Sequence, residues 1–137
     1  MSKSLDIVKD VYHRFSKGDL TGFLDLCADD IEWVVNGPAS LEKCRCFRGR
    51  SGVQEFLRIL GDSWEFSAFT PREFLVSGAT VVVLGDEEGR DRNSGEPFRN
   101  RWVHVFDVEA GGIVRFREFL CHWTGDQSPP EMSWIPR

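Results

Sequence analysis

The chain has 137 residues, of which 41% are hydrophobic and 28% are charged. These proportions are typical of folded globular domains, and a chain of this length forms a single core, so the composition argues against disorder and fibrous repeats. The formal net charge is -5, and no cluster of Lys and Arg stands apart from acidic neighbours. We therefore expect no nucleic-acid partner.

The N-terminal residues alternate between charged and apolar types, and no apolar run approaches the ~20 residues of a membrane-spanning helix. We therefore expect a cytoplasmic protein with no membrane partner. In that setting the four cysteines are expected to be thiols. Cys44 and Cys46 form a C-x-C pair, but no histidine or second cysteine pair lies at zinc-ligand spacing, so we predict no metal site.

The first part of the chain predicts three helices and one strand. Apolar residues recur every three or four positions over residues 5–15, which indicates an amphipathic helix. Asp19 can cap a short second helix, and Ser51 can cap a third that ends at Gly61. Between them, residues 31–35 alternate in the manner of a strand, and a loop follows.

After the third helix the apolar period changes to two. Five segments rich in β-branched and aromatic residues are separated by glycine-containing breakers; they are residues 64–69, 72–77, 80–91, 97–107 and 112–122. Helices followed by hairpins predict an α+β fold in which helices cover one face of an antiparallel sheet. We expect one domain over residues 1–125 and an irregular tail over residues 126–137, in which Trp134 packs against the body or a neighbouring subunit.

Three segments resemble nuclear transport factor 2-like proteins of the SnoaL-like, ketosteroid isomerase-related kind. The opening helices and strand are VYHRFSKGDLTGFLDLCADDIEW, the third helix starts with FRGRSGVQEF, and the final hairpin is RWVHVFDVEAGGIVRFREF. The resemblance implies a cone-like α+β fold, with three N-terminal helices on a strongly curved antiparallel or mixed sheet around a pocket. It also implies a homodimer through the outer sheet face. Because the family includes isomerases, cyclases, hydrolases, dehydratases and noncatalytic proteins, the resemblance leaves the function open.

The resemblance also locates family catalytic positions. It places Val11 and Val35 where a ketosteroid isomerase has its oxyanion tyrosine and general-base aspartate, and Val103 where it has a second acid. Valine transfers no proton, so steroid-type enolisation is not predicted. Glu118 falls where SnoaL-like cyclases have an acidic residue, and Arg101 falls where limonene epoxide hydrolase-like enzymes have an arginine. The acid expected two residues after that arginine is missing, so the hydrolase triad is incomplete.

Strand pairing in the final hairpin suggests a partner for Glu118. If Asp107 and Gly112 close a four-residue loop, Arg101 lies opposite Glu118 on an otherwise apolar face. Buried charges are costly unless they are paired, so we expect these two to form an ion pair. Glu118 is then a general acid or base oriented by Arg101, or the pair is purely structural.

Other residues are assigned to the pocket or to the outer face. The predicted pocket residues share the concave side by strand parity or lie on the covering helix; they are Tyr12, Trp33, Val35, Val103, Phe116 and His122. His122 is a second proton-transfer candidate or a solvated strand end. The opposite parity assigns six residues to an outer dimer face: Trp102, His104, Phe106, Arg115, Arg117 and Phe119.

These observations predict a pocket protein for a small apolar ligand that uses no cofactor. One alternative is a cofactor-independent isomerase, cyclase, hydratase or dehydratase in which Glu118 transfers a proton. A second is a noncatalytic binding protein, and a third is an epoxide hydrolase-like enzyme with an incomplete triad. The sequence leaves open whether the protein is an enzyme.

Overall fold

Three helices and six strands make up residues 3–124, the part of the chain that the computed structural model describes. The helices are α1 (Lys3–Ser16), α2 (Leu20–Asp25) and α3 (Gly49–Ser63). The strands are β1 (Cys27–Asn36), β2 (Cys46–Arg48), β3 (Trp64–Ser77), β4 (Thr80–Asp91), β5 (Pro97–Glu109) and β6 (Gly112–Thr124). The predicted tail over residues 126–137, with Trp134, lies outside the described residues.

The strands form one curved sheet in the order β2-β1-β6-β5-β4-β3. β1 pairs with β6 in parallel, and every other neighbouring pair is antiparallel, so the sheet is mixed. The predicted α+β fold with three N-terminal helices on a curved sheet is confirmed. The buried residues of each helix lie on one face of that helix. These faces pack onto the concave side of the sheet through residues such as Val8, Val53 and Phe56.

Two strands differ from the sequence prediction. β3 is continuous where two segments were predicted, because a register shift between Pro71 and Glu73 accommodates the proline on this edge strand. β2 was predicted to be loop. It consists of three residues that pair with Glu32, Trp33 and Val34 of β1, which is too short a run to produce an alternating pattern.

The β5–β6 turn is tighter than predicted. Glu109 pairs with Gly112, so the turn contains only two residues, Ala110 and Gly111, at φ 50° and 80°. Positive φ at both central positions is typical of the two-residue hairpin turn whose backbone matches the twist of the flanking strands. Glycine adopts that conformation without strain. The register then shifts between Asp107 and Val108, which leaves one extra residue in β6.

The bulge changes which residues of β5 face the cavity, because the shorter turn moves the register by two positions and the bulge moves it by one more. His104 pairs with Glu118, whereas Arg101 pairs with Cys121 and Val103 pairs with Phe119. The predicted Arg101–Glu118 pair is therefore wrong. The partner of Glu118 moves by three positions, and because side chains alternate along a strand, an odd shift exchanges the two faces of β5.

Candidate functional site

A small cavity lies between the concave side of the sheet and the helices. Its volume is about 40 Å³, which is room for a few water molecules. Most of its wall is apolar and comes from Val11, Phe15, Phe23, Trp33, Phe56, Leu57, Leu60, Phe66, Phe69, Phe106 and Phe116. Phe15, Leu57, Phe66 and Phe69 are only half-buried. An organic ligand, which needs several hundred Å³, therefore requires these side chains to move outward.

A hydrogen-bonded chain of three polar side chains forms one part of the cavity wall. Tyr12 on α1 places its Oη 2.6 Å from His104 Nδ1, and His104 Nε2 lies 2.6 Å from Glu118 Oε2. The last two residues face each other directly across β5 and β6. Both are buried, at 4% and 5% exposed. Such a chain is stable in an apolar core because each polar group satisfies the next.

The directions of the pKa shifts indicate which atoms of this hydrogen-bonded chain carry a proton at neutral pH. Burial lowers the pKa of His104, and burial followed by the charge of Glu118 raises the pKa of Tyr12. Burial alone raises the pKa of Glu118, but the facing His104 together with Lys43 holds it below its ordinary value. At neutral pH the Tyr12 hydroxyl therefore donates to Nδ1 of a neutral imidazole, and Nε2–H donates to the Glu118 carboxylate.

Aromatic packing fixes the orientation of the imidazole. The His104 ring stacks on Trp102 at 3.8 Å between centroids, with 7° between the planes, and Phe116 meets it edge-on at 4.8 Å. Trp102 reaches this position because β4 has Gly85 opposite it, where a Cβ would lie 2.3 Å from the indole ring. A rigid ring holds the short hydrogen bond to Glu118 in a single geometry.

A second polar group lies in the same wall. Lys43, from the loop between β1 and β2, has its Nζ 3.7 Å from Glu87 Oε2 on β4. Asn100 Nδ2 donates to the same oxygen at 2.8 Å, and Asn100 Oδ1 lies 2.6 Å from His122 Nδ1. Burial raises the pKa of Glu87 to about 7, although Lys43 opposes this shift. Lys43 and Glu87 line the cavity, whereas His122 lines a separate surface pocket with Trp64 and Phe98.

The structure places some of the predicted site residues at the cavity. Tyr12, Trp33, Phe116 and Glu118 all line it. Trp33 stacks on Phe116 at 3.8 Å, and this contact connects β1 to β6 inside the core.

Other predicted site residues lie elsewhere. Arg101 is exposed and Val103 is half-buried on the outer face, because the face exchange in β5 turns both away from the cavity. Val35 is buried beside Glu118 in the sheet but is not part of the cavity wall. Trp102, His104 and Phe106 were assigned to the outer face and are instead buried on the concave side.

Three polar cavity residues were missed from the sequence. His104 was assigned to the wrong face because the bulge between Asp107 and Val108 was not predicted. Glu87 shares its strand parity with the buried Val81 and Val83, so alternation within β4 was a usable signal. Lys43 lies in an irregular loop, where side-chain direction has no sequence period.

The remaining site chemistry concerns metals and thiols. Within residues 3–124, no three His, Cys, Asp or Glu side chains cluster so as to hold a metal ion. Cys27, Cys44, Cys46 and Cys121 are free thiols, and burial raises the pKa of Cys27 to about 12. No helix in the described part of the chain is long and apolar enough to cross a membrane.

Comparison with known proteins is consistent with this architecture. The NTF2-like protein of unknown function from Burkholderia pseudomallei is 29% identical, with a TM-score of 0.80 over 88% of this chain and 92% of that chain. An NTF2-like protein from Burkholderia xenovorans is 28% identical, with a TM-score of 0.79 over 87% and 89%. TerC, co-crystallized with polyporic acid, is 25% identical, with a TM-score of 0.78 over 88% and 92%. No curated protein sequence matches the chain.

The family is defined by the sequence itself. Residues 8–116 match the model of the SnoaL-like domain, which is more than half of the chain and runs from α1 into β6. This span includes every cavity residue named above except Glu118, which lies two residues beyond it. The chain therefore belongs to the SnoaL-like domain family and has the nuclear transport factor 2-like fold.

Proposed function

We propose that this protein catalyses a cofactor-independent proton transfer on a small, mostly apolar molecule bound in the cavity. The reaction class is isomerisation, cyclisation, hydration or dehydration, and Glu118 is the group that moves the proton. The observation that supports this proposal is the buried chain from Tyr12 through His104 to Glu118 in an apolar wall. Carboxylates in such surroundings are effective general bases because the site excludes water.

Each residue of the chain has a separate role in this proposal. Glu118 removes a proton from a ligand carbon next to a carbonyl, the bonding electrons move into an enolate, and the proton returns to another carbon. His104 donates Nε2–H to the carboxylate and keeps it ionised and oriented, which is the role that the sequence suggested for Arg101. Tyr12 holds the imidazole in the required tautomer through its hydrogen bond to Nδ1.

The experiment uses a general probe of base catalysis, 5-nitrobenzisoxazole, whose ring opens when a base removes its C–H proton and releases a coloured nitrophenolate. Glu118→Gln keeps the size of the side chain and an acceptor for His104 but removes the base. We expect it to lower the protein-catalysed rate by about 10²-fold or more. Glu88→Gln is the matched control, because this residue is exposed on β4, and its rate should stay within about twofold of the original.

Two results would contradict this proposal. One is an unchanged rate in Glu118→Gln, which removes the carboxylate from the mechanism. The other is a rate for the natural protein no higher than that of free acetate at equal concentration. Circular dichroism of each variant ensures that a lost rate is not a lost fold.

A noncatalytic binding protein is the second candidate. It is favoured by the tightness of the cavity and by the valines at the isomerase positions, Val11 and Val35, which are buried and unable to transfer protons. TerC, co-crystallized with polyporic acid, supports a small organic molecule as the ligand under either candidate. Under this alternative, ligands bind without turnover of the base probe.

The outer sheet face is proposed as a homodimer surface. Phe119 is 48% exposed there, and half-buried Val103, Val105 and Leu84 extend the same face across β5 and β4. This surface does not include three residues that the sequence assigned to it, because they are part of the core: Trp102, His104 and Phe106. Exposed aromatic residues beside arginines are typical of interfaces. The cytoplasmic location stays a prediction.

A further inference from the structure

Lys43 is a buried cation beside the proposed base. Its side chain is 3% exposed and lines the cavity, and its Nζ lies 5.1 Å from the centroid of the Trp64 ring. The only ion pair that it makes within residues 3–124 is with Glu87, at 3.7 Å. A well-formed N–H···O hydrogen bond measures about 2.7–3.2 Å, so this longer contact with Glu87 satisfies the ammonium only weakly.

A buried ammonium is costly unless its three N–H groups find acceptors. Glu87 Oε2 is shared between Lys43 and Asn100, and Glu118 Oε2 accepts a hydrogen bond from His104, so neither contact provides the ammonium with a short acceptor of its own. Trp33, which lines the same cavity, also has a buried Nε1–H with no partner among the described residues. The wall therefore offers donors whose natural complement is an oxygen atom of a ligand.

We propose that Lys43 binds an anionic oxygen of the ligand, so that the ligands of this cavity are small aromatic molecules with a carboxylate or similarly acidic oxygen. The inference deepens the proposed function and rests on it in placing the ligand in the same cavity. The aromatic wall from Trp33, Phe56, Phe69 and Phe116 accounts for the ring, and the ammonium accounts for the charge. In the enolisation scheme the same ammonium stabilises the negative charge that develops when Glu118 removes a proton.

The charges around Lys43 give this binding a pH dependence. Glu87 on β4 and Glu118 on β6 are its acidic neighbours, and Asn100 on β5 is uncharged. Burial lowers the pKa of His104, burial and then Lys43 lower the pKa of His122 on β6, and burial raises the pKa of the Cys44 thiol. A ligand anion is attracted more strongly when Glu87 is protonated, so binding takes up a proton. Because burial raises the pKa of Glu87 to about 7, affinity for an anion should fall as pH rises through that value.

The test compares benzoate with its neutral isostere benzamide by NMR titration, with the indole N–H resonance of Trp33 as the reporter. At pH 6 we expect the natural protein to bind benzoate more tightly than benzamide. Lys43→Met should weaken benzoate binding by at least about tenfold, because it removes a charge-assisted contact, and should leave benzamide within about twofold. Lys17→Met, on the exposed turn after α1, is the matched control and should change neither.

Two outcomes of this titration would overturn the proposal. One is that Lys43→Met still prefers benzoate to benzamide, and the other is that the Trp33 resonance responds to neither probe. If Lys43→Met fails to fold, the pH dependence of ligand affinity in the natural protein still tests the proposal. Its benzoate affinity should fall by at least about threefold from pH 6 to pH 8 while its benzamide affinity stays constant, and equal pH dependence for both probes refutes the inference. The 5-nitrobenzisoxazole rate is measured separately on a neutral probe, so loss of the Glu118 mechanism and loss of anion binding are distinguishable.

Discussion

Raising the pH provides a direct test of the hydrogen-bonded chain, because the protein has a single tyrosine. The hydroxyl of Tyr12 lies 2.6 Å from His104 Nδ1, and its ring lies against His104, Phe106 and Trp102. Burial, and then the negative charge of Glu118, raise its pKa well above the ordinary value. An unfolded tyrosine ionises at about pH 10. We therefore expect no tyrosinate in the folded protein at that pH.

The size of the effect follows from proton linkage. The folded-state pKa of Tyr12 is raised, so its contribution to stability is complete below about pH 10 and is lost as pH rises further. A group that ionises only in the unfolded state lowers the free energy of unfolding by about 1.4 kcal/mol per pH unit above its unfolded pKa. Between pH 10 and pH 12 this amounts to about 2 kcal/mol.

Tyr12→Phe isolates this contribution from every other titrating group. At pH 8 the variant should be less stable by about 1–3 kcal/mol, because Nδ1 of buried His104 loses its donor. The stability difference between the two proteins should then shrink by about 2 kcal/mol from pH 10 to pH 12. The assay is urea unfolding at each pH, combined with tyrosinate absorbance. Tyrosinate that forms with a midpoint near pH 10 while circular dichroism remains native would refute the buried chain.

Two further predictions concern packing and assembly. Gly85→Ala should lower the free energy of unfolding by about 2 kcal/mol or more, because its Cβ would lie 2.3 Å from the Trp102 ring, whereas Gly61→Ala in open space should stabilise α3 by about 0.5 kcal/mol. Urea unfolding of both variants measures the contrast, and equal stabilities would contradict it. Phe119→Glu should convert a dimer to a folded monomer in sedimentation while Leu20→Glu on α2 should not, and a natural protein that is already monomeric would refute the interface.

The helices and the final strand could be predicted because their patterns are local. Apolar spacing identified α1 and α3 to within a few residues at each end. In β6, alternation correctly placed Phe116 and Glu118 on the buried side. These assignments depend only on residues that are neighbours in the chain, so no knowledge of distant pairing was needed.

The polar site depended on features that no local pattern contains. The turn at Ala110 and Gly111 moves the β5 register by two positions, and the bulge after Asp107 moves it by one more, which exchanges the faces of β5. That exchange replaces Arg101 with His104 as the partner of Glu118. Lys43 reaches the cavity from an irregular loop, where sequence spacing gives no direction for a side chain. Loop geometry and bulge position are therefore the physical reasons for the incorrect site assignments.

The assignment of Glu118 to the cavity does not depend on the hairpin alone, because β6 is a central strand with a neighbour on each side. On one side Glu118 faces His104, and on the other the parallel register places Val35 beside it. Two residues earlier, Trp33 of β1 pairs with Phe116 and stacks on it at 3.8 Å. Turning Glu118 outward would require β6 to slip against both neighbours and to expose these rings. The incorrect register of the hairpin therefore changed the partner of the carboxylate and left the carboxylate itself inside.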